Sequence, residues 1–471
     1  MKTDKQSVPA ATAGERRALL SLSLAMLLSA LGTSIANVAL PTLSEVFSAS
    51  FQQVQWVVLS YLLAITTLIV SAGRLGDLFG RRPLLLFGVG LFTLASLLSA
   101  YPSLPVLIAA RAVQGLGAAL MMALSMAYVA DLVPRERTGS AMGLLGTASA
   151  IGTAMGPSLG GLLIGTLGWQ SVFAANVPLG IVTFFLLQRH LPASATPRQT
   201  GRSRFDYTGT VLLSLALAAY ALAMTVGRGD WGLHNNALLG LALLAATLFV
   251  VSQRRASAPL VKLSLLGRPL LLAGMAMSTL VTAVVMATLV VGPFYLTQAL
   301  GLSTIRLGLV MSVGPLVAAV SGVPAGRLVD RYGAHPMTLL GLLLMLAGSA
   351  GLALQTSVAG VPGYVAALAA TTAGYALFQA ANNTQVMVGV SAEQRGLVSG
   401  LLNLSRNLGL ITGTAAMGAV FAIASRGAAL PAGSPQAASS GMHTTFAVVA
   451  VLIVLALLLG LRRRVQPLQA A

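Results

Sequence analysis

The sequence predicts an all-α integral membrane protein of about fourteen transmembrane helices, arranged as two six-helix bundles with two helices inserted between them. Three observations support this fold class. The composition is strongly apolar, fourteen long apolar runs follow one another along the chain, and a sequence repeat relates its two ends.

The composition excludes several classes of protein. Of the 471 residues, 56% are hydrophobic and only 8% are charged, whereas about 25% of a soluble domain is charged. Cysteine is absent, which excludes disulfides and thiolate metal sites. The net charge of +18 resides in short loops between apolar runs, a pattern that orients membrane proteins rather than one that binds nucleic acid. We therefore expect the lipid bilayer as a partner, and no nucleic acid, metal or cofactor.

Fourteen apolar runs are long enough to cross about 30 Å of hydrocarbon. The first is longer than the apolar core of a signal peptide, usually about 7–15 residues, and is interpreted as a retained helix. The seventh and eighth are short, and the polar residues Arg228 to Trp231 separate them. The runs cover residues 18–40, 53–73, 83–101, 105–130, 139–165, 169–188, 207–227, 236–253, 269–297, 307–326, 336–355, 361–388, 397–424 and 443–461.

The basic residues orient these spans. With both termini in the cytosol, 23 of the 28 Lys and Arg residues fall in cytosolic segments and only Arg228, Arg306 and Arg426 fall outside. The remaining two, Arg111 and Arg406, lie within helices. Because positive charge favours the cytosolic side, this bias predicts a multi-pass inner-membrane protein with both termini cytosolic.

A repeat divides the chain. Residues 73–83 and 326–336 align without gaps and share Gly, Arg, Leu, Asp, Gly and Pro at an offset of 253. A second match, at an offset of 257, relates Gly152 and Gly156 to Gly409 and Gly413. Two matches at nearly one offset indicate duplication. We expect bundles over 1–190 and 266–471 and an insertion over 191–265, because parallel six-helix repeats are typical of alternating-access transporters.

The duplicated loop carries the first candidate site. Gly73 and Gly80 permit tight turns, and Asp77 offers an acceptor to helix N-terminal amides or to Arg81 and Arg82. The alternative is an ordinary turn with topogenic charges. In the second copy Asp330 occupies the place of Asp77, but Ala334 and His335 replace the two arginines, so the second loop is expected to be chiefly structural.

Two arginines are predicted inside the membrane. Arg111 has Gln114 one turn away on the same helix face, and Arg406 is flanked by Asn403 and Asn407. An intramembrane Arg costs at least ~2.5 kcal/mol on insertion scales, so it normally faces a cavity or a partner. The alternatives are that Arg111 snorkels from near the outer helix end and that Arg406 is a packing or interface charge.

A glycine face marks the fifth span. Gly152, Gly156 and Gly160 recur every four residues, which lets another backbone approach closely, and Pro157 removes a hydrogen bond and favours a kink. Close packing alone is the simpler interpretation, and a hinge is the functional one.

Amide and hydroxyl side chains elsewhere predict a central cavity. A cavity with few polar groups among Leu, Met and aromatic residues suits amphipathic substrates. Each polar residue could instead be hydrogen-bonded glue between helices. The candidates are Thr33, Asn37, Asn176, Gln379, Asn382 and Asn383.

Several of these segments resemble one known family. The loop at 73–83 resembles the Gly-x-Leu-x-Asp-x-x-Gly-Arg-Arg signature of the major facilitator superfamily. Residues 107–117, with Arg111 and Gln114, resemble its helix-4 motif, and residues 152–161 resemble the helix-5 motif of its antiporters. Segments at 31–41, 55–61, 169–180 and 205–207 are similar to the fourteen-helix drug:proton antiporter branch.

The resemblance implies roles for these residues. The first loop would be a latch that holds the two halves together in one state, and Arg111 would support proton transfer or substrate contact. Asp131, near the cytosolic end of the fourth span, is among the nearest carboxylates for coupling. Two positions depart from the branch: Gly32 stands where an Asp is usual, and Gln170 where Arg is frequent.

The expected function is a monomeric, proton-driven exporter of small amphipathic compounds, with a small-molecule substrate and protons as ligands. A uniporter or importer of a metabolite is the alternative within transport. A non-transporting scaffold or receptor is the alternative from another class. No His, Asp and Glu cluster has catalytic or metal-binding spacing, so an enzyme is not expected.

Overall fold

The computed structural model describes residues 12–133, 135–192, 206–226, 232–256, 259–260, 267–355, 359–387, 392–426 and 434–462. Fourteen helices in this part of the chain are long and apolar enough to span a membrane, which confirms the predicted fold class. They are α1 Ala13–Val46, α2 Phe51–Phe79, α3 Arg81–Leu98, α4 Leu104–Leu132, α5 Arg135–Leu167, α6 Gln170–His190, α7 Tyr207–Thr225, α8 Leu233–Arg255, α9 Pro269–Phe294, α10 Thr304–Tyr332, α11 Ala334–Ala353, α12 Gly360–Met387, α13 Ala392–Thr412 with its continuation Gly418–Arg426, and α14 Pro435–Arg462.

Two single π-helical turns interrupt this pattern. Tyr295–Ala299 extends α9, and Gly413–Met417 joins the two parts of α13. Since the helix count is even and successive helices reverse direction, α1 begins and α14 ends at the same end of the bundle. We call this the terminus end, and the opposite end the far end.

The helix boundaries follow local capping chemistry. Thr12 Oγ1 accepts a hydrogen bond from the Glu15 amide at 3.2 Å, and the Glu15 carboxylate accepts one from the Thr12 amide at 3.1 Å. Ser50 and Gln53 repeat this capping box at the start of α2. Helix α2 continues through Gly73 and Gly76 to Phe79, so the turn predicted at Gly73 is wrong and most of the predicted loop is helical; among these glycines only Gly80 adopts a positive φ.

Glycine ends the two equivalent helices. Gly80 after α2 has φ of 88° and Gly333 after α10 has φ of 86°. Both values lie in the left-handed region, which residues with a Cβ rarely adopt. The two glycines occupy corresponding positions of the sequence repeat, so the duplicated loops share a backbone conformation as well as a sequence.

Glycine contacts also hold each bundle together in the same way. In the N-terminal bundle Gly152 and Gly156 of α5 lie against the backbone of α1. In the C-terminal bundle Gly409 and Gly413 of α13 lie against the backbone of α9, where a Cβ on Gly413 would be 2.7 Å from Met286 Cβ. The second sequence match therefore corresponds to one packing arrangement used twice.

The inserted pair α7 and α8 is fastened to α2. At its two ends α7 bonds α2 through Ser71 and Thr210, whose hydroxyl oxygens are 3.3 Å apart, and through the Trp56 indole, which donates to Thr225 Oγ1 at 3.1 Å. Asp206 caps α7 by accepting from the Gly209 amide at 2.7 Å. Helices α7 and α8 also pack against each other.

The packing predicts a stability difference between two glycines of α5. Gly152→Leu would drive a side chain into the Leu27 carbonyl of α1, whereas a Cβ on Gly146 meets no atom within 4 Å. Overpacking of this kind costs about 1–3 kcal/mol. We expect Gly152→Leu to lower the melting temperature of the detergent-purified protein by several degrees and Gly146→Leu to leave it within about a degree. Equal melting temperatures for the two variants would contradict the close α1–α5 contact.

Candidate functional site

The two bundles meet along α5 and α10 at the far end. A Cβ on Gly161 of α5 would lie 2.6 Å from the Thr304 carbonyl oxygen and 2.8 Å from Gly308 Cα. A Cβ on Gly308 would lie 2.5 Å from the Pro157 carbonyl oxygen. Only glycine permits this backbone-to-backbone approach, so the seam between the bundles is closed here.

A second contact closes the far end between α2 and α13. Gln55 Nε2 donates to the Thr414 carbonyl oxygen at 2.7 Å, and both residues are buried. Beside them Phe51 of α2 packs edge-on against Phe294 of α9, with ring centroids 4.6 Å apart, and also contacts Phe421 of α13 at 5.0 Å. These three rings form an aromatic plug across the seam.

The bundles diverge toward the terminus end. Gly326 lies about five turns after Gly308 and therefore on the same face of α10. Yet a Cβ on Gly326, or on the exposed Gly322, would meet no atom within 4 Å. On α5, Gly146 is equally open. Helices α5 and α10 thus touch at one end and separate at the other, which leaves a gap between the bundles that opens at the terminus end.

Arg111 lies fully buried in α4, inside the N-terminal bundle. Its Nε donates to the Val57 carbonyl oxygen at 2.9 Å, and its guanidinium carbon lies 4.1 Å from the centre of the Tyr61 ring. Nη1 donates to Gln114 Oε1, and Gln114 Nε2 donates in turn to Ser96 Oγ at 2.7 Å. The positive charge is held by a carbonyl, an amide and an aromatic face rather than by a carboxylate.

One part of this network is unsatisfied. Arg111 Nη2 is buried and has no hydrogen-bond partner, although the Tyr61 hydroxyl donates to the Ser29 carbonyl oxygen at 2.8 Å and fixes the ring. A buried donor without an acceptor raises the free energy of this state. Nη2 is therefore the nitrogen of the Arg111 guanidinium that has no acceptor among the described residues.

The residues of the predicted latch contact their own bundle. Arg81 Nη1 donates to the Ala127 carbonyl oxygen of α4 at 3.1 Å, and Arg82 donates to the Gln188 carbonyl oxygen of α6. Gly73 lies within α2 with open space beside it. The Asp77 side chain lies outside the described part of the chain, as does that of Asp131. Asp330 is exposed near the end of α10.

The predicted hinge residues lie where α5 contacts both bundles. A Cβ on Gly160 would be 3.1 Å from Ile35 Cγ1 of α1, and Gly152 and Gly156 face the same helix. Pro157 lies inside α5, and its carbonyl oxygen contacts Gly308 of α10. The structure thus brings the four residues to one place between α1 and α10.

The predicted cavity residues fall into two groups. Thr33, Gln379 and Asn383 are partly exposed, and Gln379 and Asn383 lie one turn apart on α12. The other three are buried, and their side-chain amides donate to backbone carbonyls within a helix or between helices. Asn37 donates to Thr33, Asn176 to Val172, and Asn382 to Gly274 of α9.

Arg406 differs from Arg111 in being partly exposed on α13. The aromatic plug and the Gln55 contact were missed by sequence reasoning, since isolated Phe residues in an apolar span give no signal. In the sequence, the adjacent residues Gln55 and Trp56 were the signal that marked this segment near the start of α2. Among the described residues, no group of three or more His, Cys, Asp or Glu could hold a metal ion.

Comparison with known proteins adds to this description. A sequence model described as Major Facilitator Superfamily matches residues 22–414. The drug efflux pump JefA of Mycobacterium tuberculosis is 34% identical, over 89% of this chain and 83% of that protein. The riboflavin transporter RibZ of Clostridioides difficile is 31% identical, over 86% and 88%. A solved bacterial homologue of the human lysosomal transporter Spinster superposes with a TM-score of 0.69 at 16% identity, over 96% of this chain and 97% of that one.

The seam geometry predicts a crosslink. A Cβ on Gly165 would lie 2.7 Å from Ile305 Cγ1, which places the two Cβ positions near the roughly 3.8 Å that a disulfide requires. Because the chain lacks cysteine, Gly165→Cys/Ile305→Cys needs no background changes. We expect mild oxidation of this variant to remove most of its maleimide-reactive thiol.

The matched control pair lies on the same two helices at the terminus end. We expect Gly146→Cys/Gly326→Cys to keep its reactive thiols under the same oxidation. Crosslinking of this pair instead of the first would show that the gap opens at the far end.

Proposed function

This chain belongs to the Major Facilitator Superfamily, and from that premise we propose that it exports small amphipathic compounds by alternating access in exchange for protons. The observation that carries the proposal is the geometry of the α5–α10 pair, which touches at Gly161 and Gly308 and is apart at Gly326. A two-bundle protein closed at one end and open at the other is in one of the two states that alternating access needs.

The charge distribution supports the direction. Twenty-three of the 28 basic residues lie in segments at the terminus end, which favours the cytosolic side for that end and an inner-membrane location. The gap then opens to the cytosol, where an exporter collects its substrate. We propose that the protein works as a monomer, because the gap between the bundles lies within one chain.

Rocking of the bundles would use the parts already described. The hinge is α5, whose glycines contact α1 on one face and α10 on the other. The latch is the first duplicated loop, whose arginines Arg81 and Arg82 bond within their own bundle here. We propose that Asp77, Gly80 and Asp330 help these loops engage the opposite bundle when the terminus end closes.

The relatives support the substrate class. JefA is named a drug efflux pump, which favours amphipathic drugs. RibZ is named a riboflavin transporter, which favours the second candidate, a carrier that moves a metabolite without exporting drugs. The buried arginine and the partly exposed Thr33, Gln379 and Asn383 suit either substrate, because few polar groups in an apolar gap orient an amphipathic molecule. A receptor that transports nothing would not need a gap between two repeated bundles that is closed at one end and open at the other.

Transport by the purified protein in liposomes tests the proposal. We expect a panel of fluorescent amphipathic compounds to include members that move against their gradient when an opposed proton gradient is imposed, and to stop when an ionophore dissipates it. The oxidised Gly165→Cys/Ile305→Cys variant is the control, and transport should return on its reduction. Movement indifferent to the pH gradient would remove the proton from the proposal, and absence of any movement would favour a scaffold.

Arg111→Ala is expected to slow transport of such a compound at least tenfold. The change removes the buried charge and leaves the Val57 carbonyl and the Gln114 amide without their donor. Arg306→Ala is the matched control, because Arg306 is exposed at the start of α10. Initial rates are compared at equal amounts of reconstituted protein. Rates within twofold of wild type for Arg111→Ala would exclude it from the transport path.

A further inference from the structure

Carboxylates are confined to the ends of the membrane helices. Of the ten acidic residues, Asp4 and Asp230 lie outside the described residues. Each of the other eight caps a helix or lies within two residues of a helix end. These eight are Glu15, Glu45, Asp77, Asp131, Glu136, Asp206, Asp330 and Glu393. The helix interiors therefore carry no negative side chain that would attract a cationic substrate.

Arg406 lies well inside a membrane-spanning helix. The Thr279 hydroxyl of α9 donates to the carbonyl oxygen of Ser405 at 3.0 Å, which sets the two helices level at this point. Thr279 is ten residues into α9, or about 15 Å along a helix. Helix α9 with its extension continues for about five turns beyond Thr279, so Arg406 lies inside the roughly 30 Å hydrocarbon core rather than at a helix end.

Two faces of α13 are covered. Ser405 and Gly409 pack on α9, where a Cβ on Gly409 would be 2.8 Å from Thr282 Cβ. Leu401 and Leu404 are buried in a cluster with Leu260, against which Phe249 of α8 packs.

Asn403, Arg406 and Leu410 share the remaining face, at i, i+3 and i+7, and all three are partly exposed. A guanidinium and an amide inside the membrane normally face the bundle interior or a water-filled cavity rather than lipid. The face containing Arg406 therefore borders the gap between the bundles.

The two intramembrane arginines are not equivalent. Arg111 is fully buried and bonded to Val57 and Gln114 beneath the Tyr61 ring. Arg406 is the one with accessible surface, and no carboxylate lies in the interior of α13 or of the other described helices. A guanidinium binds carboxylate and sulfonate oxygens through paired hydrogen bonds, and Asn403 one turn away offers a further amide donor.

On the basis of the proposed transport function, we propose that Arg406 selects the substrate, and that this substrate is an amphipathic organic anion. Its carboxylate or sulfonate group binds Arg406 and its apolar body occupies the gap. A quaternary ammonium compound of the same shape would meet the positive charge of Arg406 without any compensating carboxylate, and is disfavoured.

The test uses three naphthalene compounds that differ only in a sulfonate, a hydroxyl or a trimethylammonium group. Binding to the detergent-purified protein is measured by fluorescence titration, and transport is measured in liposomes. We expect wild type to bind and move the sulfonate at least tenfold better than the ammonium compound. Arg406→Gln should weaken sulfonate binding at least tenfold and leave the hydroxyl compound within twofold, and Arg406→Lys should recover part of the loss.

Arg426→Gln is the matched control, because Arg426 is exposed at the far end of the same helix and its replacement by Gln removes the same charge. Arg406-dependent sulfonate binding without transport would support anion recognition while defeating the export proposal. Transport that is indifferent to the three charges, or preference for the ammonium compound, would overturn the role of Arg406 while leaving export intact. Absence of both sulfonate binding and sulfonate transport would also overturn it. A normal melting temperature of Arg406→Gln confirms that the variant is folded.

Discussion

Close backbone contact along α5 is the constraint on which the rest of this structure depends. One face of the helix meets α1 through Gly152, Gly156 and Gly160, and the opposite face meets α10 through Gly161. Because lipid provides little hydrophobic force between helices, such contacts are held by van der Waals packing over short distances. The α1 contact lies within one bundle, whereas the α10 contact crosses the seam and is the one that the proposed rocking of the bundles would break.

The polar groups of the membrane interior follow a second rule. Most buried hydroxyls donate to a carbonyl one turn back in their own helix, as Ser29 does to Ala25 at 3.0 Å. Such bonds satisfy the hydroxyl without tying helices together. Arg111 and Gln55 instead bond to other helices, in the N-terminal bundle and at the seam, and each also has one buried atom without a hydrogen-bond partner among the described residues. Buried atoms without a hydrogen-bond partner are not confined to these two side chains, since the Ser125 and Ser349 hydroxyls also lack one among the described residues.

The sequence was sufficient for the helix count, the duplication and the fold class, since each depends on long apolar runs and repeated glycines. It was less informative about helix ends. The apolar run of the second span stops near residue 73, but α2 continues to Phe79 because polar residues outside the hydrocarbon remain helical until Gly80. It also did not separate Asn383, which is partly exposed, from Asn382, which is buried against α9. Neighbouring residues on one helix differ in environment because of tertiary packing. Local sequence patterns do not reveal that packing.

The attachment of α7 has a mechanical consequence. Its two bonds to α2, at Ser71 and at Trp56, are spaced along nearly the whole length of α7. On its other side α7 contacts the π-helical turn Gly413–Met417 of α13. In the proposed rocking of the bundles, an inserted pair fastened in this way would travel with the first bundle. The surface that slides in that motion would then lie between α7 and α13. Because lipid would contact that boundary, the composition of the bilayer would affect the rate at which the protein turns over.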